Sequence, residues 1–118
     1  MSTTTEGQAV VLHPRNGLTV IAWPTTTHER AAVLREFIGC DFYAAAALGH
    51  SLLVWSDAEA RHEPNWLATL LASLAQEPRD FHGPVVVTGA QRAGDDTPPL
   101  SPELLDIVRQ VPAAAGLA

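Results

Sequence analysis

Short blocks of apolar and polar residues alternate along the first part of the chain, a pattern typical of strands. The apolar run of residues 9–12 is followed by the turn signal Asn16-Gly17 and then by the β-branched segment of residues 18–23. Asn-Gly tolerates the positive φ angles that tight hairpin turns need. The pattern therefore predicts two paired strands, the second of which ends at Pro24.

The next segment predicts a helix. Thr26 and Glu29 have the spacing of a capping box, in which the threonine caps the helix and the glutamate reaches back to the amide of the threonine. Apolar residues then recur at helical spacing, and Gly39 is a favourable stop. The helix should cover about residues 27–38. Its apolar positions are Val33, Leu34, Phe37 and Ile38.

A second hairpin is expected between residues 42 and 55. The four consecutive alanines in the first half of this stretch would favour a helix if they stood alone. The glycine before the stretch, its aromatic residues and the Gly49-His50-Ser51 turn favour a strand instead. Residues 52–55 then form the returning arm.

Two helices and one strand complete the expected elements. An apolar stripe at i, i+3, i+4 and i+7 predicts a helix that starts near Asn65 and is bounded by Pro78. The valine run of residues 85–87 is typical of a central strand that is buried on both faces. Ser101 and Pro102 favour the start of a last short helix. The stripe consists of Leu67, Leu70, Leu71 and Leu74.

These elements predict a single small α+β domain with the order ββαββαβα. We expect it to cover residues 9–111 and to contain a mixed or antiparallel sheet with helices packed on one face. Residues 1–8 are expected to be a disordered N-terminus, and residues 112–118 a flexible tail. Residues 9–12 are the candidate for an edge strand. The unpaired backbone groups of an edge strand need a partner, so we also expect the protein to self-associate.

Charge and composition narrow the classes of function. The 118 residues carry 7 basic and 13 acidic side chains, and the formal net charge of −6 disfavours broad nucleic-acid binding. No apolar run approaches the roughly 20 residues that span a bilayer. The first residues do not resemble a signal peptide, and a single cysteine, Cys40, fits a reducing compartment. We therefore expect a soluble, cytoplasmic protein that does not bind membranes.

The chain shows no catalytic constellation. Its five histidines lack the zinc spacings Cys-x-x-Cys and His-x-x-x-His. The densest group of metal donors is Asp57, Glu59, His62 and Glu63, for which a solvated loop is the default interpretation. Cys40 follows a helix C-terminus, where the partial negative charge disfavours a thiolate. The sequence therefore predicts no catalytic residue, no metal site and no cofactor.

Three tryptophans are many for so small a domain. Trp23 and Trp55 end predicted strands, and Trp66 opens the second helix. One role for them is to fill the core, with the indole N–H bonded to a carbonyl. The alternative is that one or two of them line an exposed groove, because tryptophan is enriched among interface anchors.

The motifs in the middle of the chain follow a definite order. Phe37-Ile38-Gly39 ends a helix, residues 52–55 form a hairpin arm, Asn65 opens a second helix, and residues 83–89 form a closing strand. This order resembles the small proteins of domain-of-unknown-function family 3846, over roughly residues 11–108. The family often has an Asn-Glu pair after the returning strand, where the corresponding stretch of this chain is Trp55-Ser56-Asp57. The resemblance implies a phage or mobile-element protein, often actinobacterial, and no established activity.

The first functional hypothesis is a non-enzymatic accessory protein of a phage or mobile element. Such a protein would bind a host or defence protein as an acidic inhibitor or adaptor, or would associate with itself as a homo-oligomer. The resemblance, the acidic charge and the small size motivate this first hypothesis.

A metal-assisted enzyme that uses Asp57, Glu59 and His62 is the hypothesis that we rank third and last.

The second hypothesis is a protein that binds or sequesters a small ligand, such as a nucleotide signal. Its site would lie near the second hairpin and the start of the second helix. Trp55 or Trp66 would stack on a base, and Arg61 or Arg35 would contact phosphate. Asn65 completes this set of candidate ligand-binding residues.

Overall fold

The computed structural model describes residues 7–15, 17–39, 43–49, 51–58, 63–90 and 97–114. This part of the chain contains five strands and four helices. The strands are β1 (Gly7–His13), β2 (Gly17–Trp23), β3 (Tyr43–Leu48), β4 (Leu52–Asp57) and β5 (Val85–Gly89). The helices are α1 (Thr27–Ile38), α2 (Trp66–Leu74), α3 (Pro102–Arg109) and the single turn α4 (Val111–Ala114).

The five strands form one antiparallel sheet with the order β2-β1-β5-β4-β3. Strand β5 lies between the two hairpins, where Val87 pairs with Val10 of β1 and with Val54 of β4. The α+β class, the ββαββαβα order and the central valine strand are therefore confirmed. The expectation that residues 9–12 form an edge strand is wrong, because β1 is paired on both sides. Among the described strands, β2 and β3 form the edges.

Helices cover both faces of the sheet, which corrects the expectation that they pack on one face. On one face, α2, α3 and α4 pack against alternate strand residues, including Val10, Val54 and Val87. On the other face, α1 packs through Leu34 and Ile38 against the residues in between. The reason is that β1, β4 and β5 are continuous apolar runs. Adjacent residues of a strand point to opposite faces, so both faces have to be shielded from water.

Local sequence determines where α1 and α3 begin. The Thr26 hydroxyl accepts a hydrogen bond from the Glu29 amide at 3.2 Å and donates one to the Glu29 carboxylate at 2.8 Å. Helix α1 spans the predicted residues and ends at Gly39, which has a φ of 76°. Ser101 caps α3 by accepting from the Leu104 amide, with Pro102 in the first turn. None of the helices in the described ranges has the length and apolar content of a membrane span.

The ordered elements extend slightly beyond the expected domain. Strand β1 begins at Gly7, inside the segment that we expected to be disordered, because the first hairpin pairs over its full length from Gly7 with Trp23 to His13 with Gly17. Helix α4 likewise occupies the first residues of the expected tail. Residues 1–6 and 115–118 lie outside the described residues.

Candidate functional site

The candidate ligand-binding residues do not converge on one site. Trp55 lies on β4, on the sheet face that α1 covers. Trp66 opens α2 on the opposite side of the sheet and is 71% exposed. Arg35 is exposed in the last turn of α1. Arg61 and Cys40 lie outside the described residues. The two tryptophans therefore belong to two separate surfaces.

Asn65 occupies a structural position. Its side chain is fully buried, and its Oδ1 accepts a hydrogen bond from the Ala68 amide at 3.1 Å, which caps α2. Its Nδ2 donates to the carbonyls of Leu12 and Gly83, each at 2.8 Å. Both amide hydrogens are thus used within the fold. The residue joins the start of α2 to β1 and to the chain that enters β5.

The expected metal-donor group is only partly described. Asp57 is buried at the end of β4. Glu63 forms an exposed ion pair with Arg15, with Nε and Oε1 2.9 Å apart. Glu59 and His62 lie outside the described residues. Within the ranges that the structure does describe, no three His, Cys, Asp or Glu residues lie close enough together to hold a metal ion.

One flank of α2 presents apolar side chains to solvent. Trp66, Leu70 and Leu74 follow one another at intervals of four residues, so they lie along one side of the helix. Trp66 is 71% exposed and Leu74 is 58% exposed, whereas Leu70 is partly buried and reaches the core. The opposite flank of α2 carries the residues that pack on the sheet, Leu67, Ala68, Leu71 and Ala72. We call the row of Trp66, Leu70 and Leu74 the α2 surface.

Acidic residues border the α2 surface. Residues 63–80 contain three acidic side chains and one arginine, all of them exposed, whereas α2 itself carries no charge. Asp80 lines a small hollow beside Trp66. Glu63 precedes α2, and Glu77 follows it and accepts a hydrogen bond from the Gly49 amide. The α2 surface is thus an apolar strip beside which Glu77 and Asp80 are exposed, whereas Glu63 is paired with Arg15 and Arg79 adds a positive charge.

A cavity of about 170 Å³ lies on the other side of the sheet, between α1 and the strands. The Tyr43 and Trp55 rings meet edge to face at one wall, with centroids 5.8 Å apart and planes at 70°. At another wall, the Arg30 guanidinium lies 5.8 Å from the centroid of the Trp23 ring. We call this space the aromatic cavity. Its described lining is Trp23, Thr27, Arg30, Ala31, Leu34, Tyr43, Trp55 and Thr97.

Hydrogen bonds fix the walls of the aromatic cavity. The indole N–H of Trp23 donates to the Thr97 carbonyl at 3.0 Å, and that of Trp55 donates to the Thr88 hydroxyl at 3.1 Å. The Nε of Arg30 donates to the Pro24 carbonyl at 2.6 Å. Trp23 is almost fully buried. It therefore fills the core while its indole N–H is hydrogen-bonded to a carbonyl, which is the first of the two roles predicted for the tryptophans.

The aromatic cavity was not predicted from the sequence, although one signal for it was present. Trp23 and Trp55 both lie near strand ends, and with the observed strand order they face the same side of the sheet. The strand order β2-β1-β5-β4-β3 was the missing information, because it places Trp23 and Trp55, which are 32 positions apart in the sequence, beside helix α1. Arg30 and Tyr43 carry no local motif that would single them out.

Comparison with protein-family models, with curated proteins and with solved structures finds no match for this chain. The candidate sites are therefore defined by the geometry of the chain itself.

Proposed function

We propose that this protein is a non-catalytic binding protein that docks onto another protein through the α2 surface. The observation that carries the proposal is the exposure of Trp66 and Leu74 along one side of a helix without a single charged residue. Isolated exposed apolar residues are common on protein surfaces. An aligned row that includes tryptophan is the arrangement that interfaces favour, because tryptophan anchors contribute a large share of binding energy.

The border of the α2 surface supports a partner of defined chemistry. A partner with an apolar pocket that carries lysine or arginine beside it would complement the strip and the exposed carboxylates Glu77 and Asp80. A second copy of this chain fits less well, because a symmetric contact would bring acidic borders together in a protein with a net charge of −6. We therefore favour a different protein as the partner.

The resemblance to family 3846 suggests where such a partner would be found. It supports a phage or mobile-element origin, in which an acidic adaptor or inhibitor acts on a host or defence protein in the cytoplasm. The proposed role requires no catalytic group and no cofactor. It depends on one helix surface, which makes it directly testable by substitution.

The test compares three single substitutions in affinity capture from a lysate of an actinobacterial host. Trp66→Gln and Leu74→Gln remove the α2 surface, whereas Ile107→Gln removes an apolar side chain of similar exposure from α3. We expect one protein to be retained by the wild type and by Ile107→Gln, to be lost with both α2 variants, and to be released by salt. The retained protein is then purified and its affinity is measured for each variant.

Equal retention by all four proteins would contradict the proposal, as would the absence of any retained protein. Analytical ultracentrifugation of the wild type alone tests whether a second copy of this chain covers the α2 surface. A dimer that Trp66→Gln dissociates would assign the α2 surface to self-association instead. All the substituted side chains are more than half exposed, so the variants are expected to keep the stability of the wild type.

A further inference from the structure

We propose that the small hollow beside Trp66 binds the side chain of one arginine of the partner protein. This inference rests on the proposed function, because it names the residue that the partner places next to the α2 surface. We call this space the Trp66 hollow. Its described lining is Pro64, Trp66, Thr69, Asp80, Phe81 and His82.

The Trp66 hollow has the size of a side chain. Its volume is about 110 Å³. An apolar cavity of roughly 150 Å³ accepts benzene, and pockets for drug-sized ligands measure roughly 300–1,000 Å³. The hollow is therefore too small for an ordinary free ligand, whereas a single side chain that another protein presents can lie in it.

Hydrogen bonds hold the two sides of the hollow together. The Asn65 amide donates to the Phe81 carbonyl at 2.8 Å, and the Phe81 amide donates to the Thr69 hydroxyl at 3.2 Å. Both bonds tie the backbone next to Asp80 to the start of α2. The carboxylate of Asp80 and the ring of Trp66 therefore belong to one site that is already assembled before a partner binds.

The chemistry of the lining favours a cation. Asp80 supplies the one carboxylate of the described lining, and its side chain is exposed. Within the part of the chain that the structure describes, it forms no ion pair. The exposed ring of Trp66 forms an aromatic wall beside it. A cation is attracted both by a carboxylate and by the face of an aromatic ring, most strongly by that of tryptophan.

The positive groups near the hollow do not reverse this preference. Arg79 precedes Asp80 but does not pair with it, and it lines a neighbouring recess beside the alanines of β3. The N-terminus of α2 opposes a cation, but its partial charge is only about half of the full charge on a carboxylate. His82 is engaged by interactions of its own and takes no part in the proposed contact.

Arginine fits this lining better than lysine does. A guanidinium is planar, so it can lie flat on an indole ring while its edge donates hydrogen bonds to a carboxylate. The ammonium group of lysine is compact and strongly hydrated, and it cannot use both groups in this way. We therefore expect the partner's guanidinium to stack on Trp66 with its edge towards Asp80.

The binding test uses three short peptides that differ in one side chain. Acetyl-Gly-Arg-Gly-amide carries the guanidinium, a lysine peptide carries the same charge on an ammonium group, and a citrulline peptide carries a neutral urea group of similar shape. NMR of the ¹⁵N-labelled protein at low ionic strength follows the indole N–H signals of its three tryptophans.

We expect the arginine peptide to shift the Trp66 signal saturably, with a Kd on the order of 1 mM. The signals of Trp23 and Trp55 should stay unchanged, because both residues lie on the other side of the sheet. The citrulline peptide should bind about tenfold more weakly, since it loses both the ion pair and the attraction to the ring. The lysine peptide should bind about threefold more weakly than the arginine peptide.

Matched charge substitutions locate the site. Asp80→Asn removes the carboxylate of the hollow, whereas Asp106→Asn removes an exposed carboxylate from α3 and changes the net charge equally. Asp80→Asn should weaken binding of the arginine peptide about fivefold and leave the citrulline peptide unchanged. Asp106→Asn should leave both unchanged. Both side chains are exposed, so the urea midpoints of the variants should match that of the wild type.

The proposal is overturned if the arginine peptide does not shift the Trp66 signal saturably, or if the citrulline peptide binds as tightly. It is also overturned if Asp80→Asn and Asp106→Asn weaken binding equally. A lysine peptide that binds as tightly as the arginine peptide would refute the choice of arginine.

These outcomes are distinct from a failure of the proposed function. Capture of a protein that depends on Trp66 and Leu74 but not on Asp80 would uphold docking through the α2 surface and refute the arginine contact. Binding of the arginine peptide by a protein that captures nothing would uphold the Trp66 hollow as an arginine site and refute the proposed function.

Discussion

Replacing Asn65 with alanine should destabilise the protein severely, because its side chain forms hydrogen bonds with three backbone groups. The substitution removes the cap of α2 and both hydrogen bonds from Nδ2 to the Leu12 and Gly83 carbonyls. A lost cap costs about 1 kcal/mol. Each buried carbonyl that loses its donor costs about 1 kcal/mol or more. We therefore expect a loss of about 3 kcal/mol, against a total stability of about 5–15 kcal/mol for a domain.

The measurement is urea unfolding followed by circular dichroism, with the midpoint and the slope fitted separately. A loss of about 3 kcal/mol lowers the midpoint by about 2 M if the slope is about 1.5 kcal/mol/M. Ser101→Ala is the matched control, because the Ser101 hydroxyl caps α3 through an exposed hydrogen bond from the Leu104 amide. It should cost about 1 kcal/mol.

Asn65→Ser separates the cap from the two carbonyl bonds. Serine retains an oxygen that caps the helix but has no group that reaches both carbonyls, so the variant should be about 1 kcal/mol more stable than Asn65→Ala. If Asn65→Ala costs no more than Ser101→Ala, then the bonds to Leu12 and Gly83 contribute nothing, and the assigned structural role of Asn65 is wrong. The same variants also show whether any ligand binding depends on Asn65 apart from folding.

Two further predictions concern glycines and an ion pair. Gly39→Ala should lower the free energy of unfolding by about 1 kcal/mol, because the residue has a φ of 76° with open space around it. Gly89→Ala should cost more, because an added Cβ would lie 2.7 Å from the Pro99 carbonyl oxygen. The urea midpoints rank the two variants, and the reverse order would refute this reasoning. Arg15→Ala should change stability by less than about 1 kcal/mol, because its ion pair with Glu63 is exposed, and a larger loss that salt does not reduce would contradict that view.

Sequence alone predicted the local elements well, because their signals are local. The bounds of α1 follow from Thr26 and Gly39, and the caps Asn65 and Ser101 mark the starts of α2 and α3. The alanine run of β3 was correctly predicted as a strand, because the turn that follows it outweighed the helix propensity of alanine. In each case a few neighbouring residues contain the whole signal.

The strand order and the sites depend on long-range pairing, which local patterns do not contain. Nothing in either hairpin specifies that β5 lies between β1 and β4 rather than at an edge. The apolar run in β5 did indicate burial on both faces, and that signal already contradicted a sheet covered on one face only. Trp55 and Trp66 were grouped because they are close in sequence, yet the sheet separates them. The aromatic cavity required the strand order before it could be recognised.

The central place of β5 has a consequence for synthesis of the chain. Both hairpins can form as soon as they are made, but a two-stranded hairpin is marginally stable at best. From Asp57, the end of β4, the ribosome has 32 residues to add before Gly89 completes β5, which takes roughly 2 to 6 s. During that interval the inner edges of β1 and β4 are unpaired and apolar. A nascent chain halted in this window is therefore the species most exposed to aggregation and to capture by chaperones.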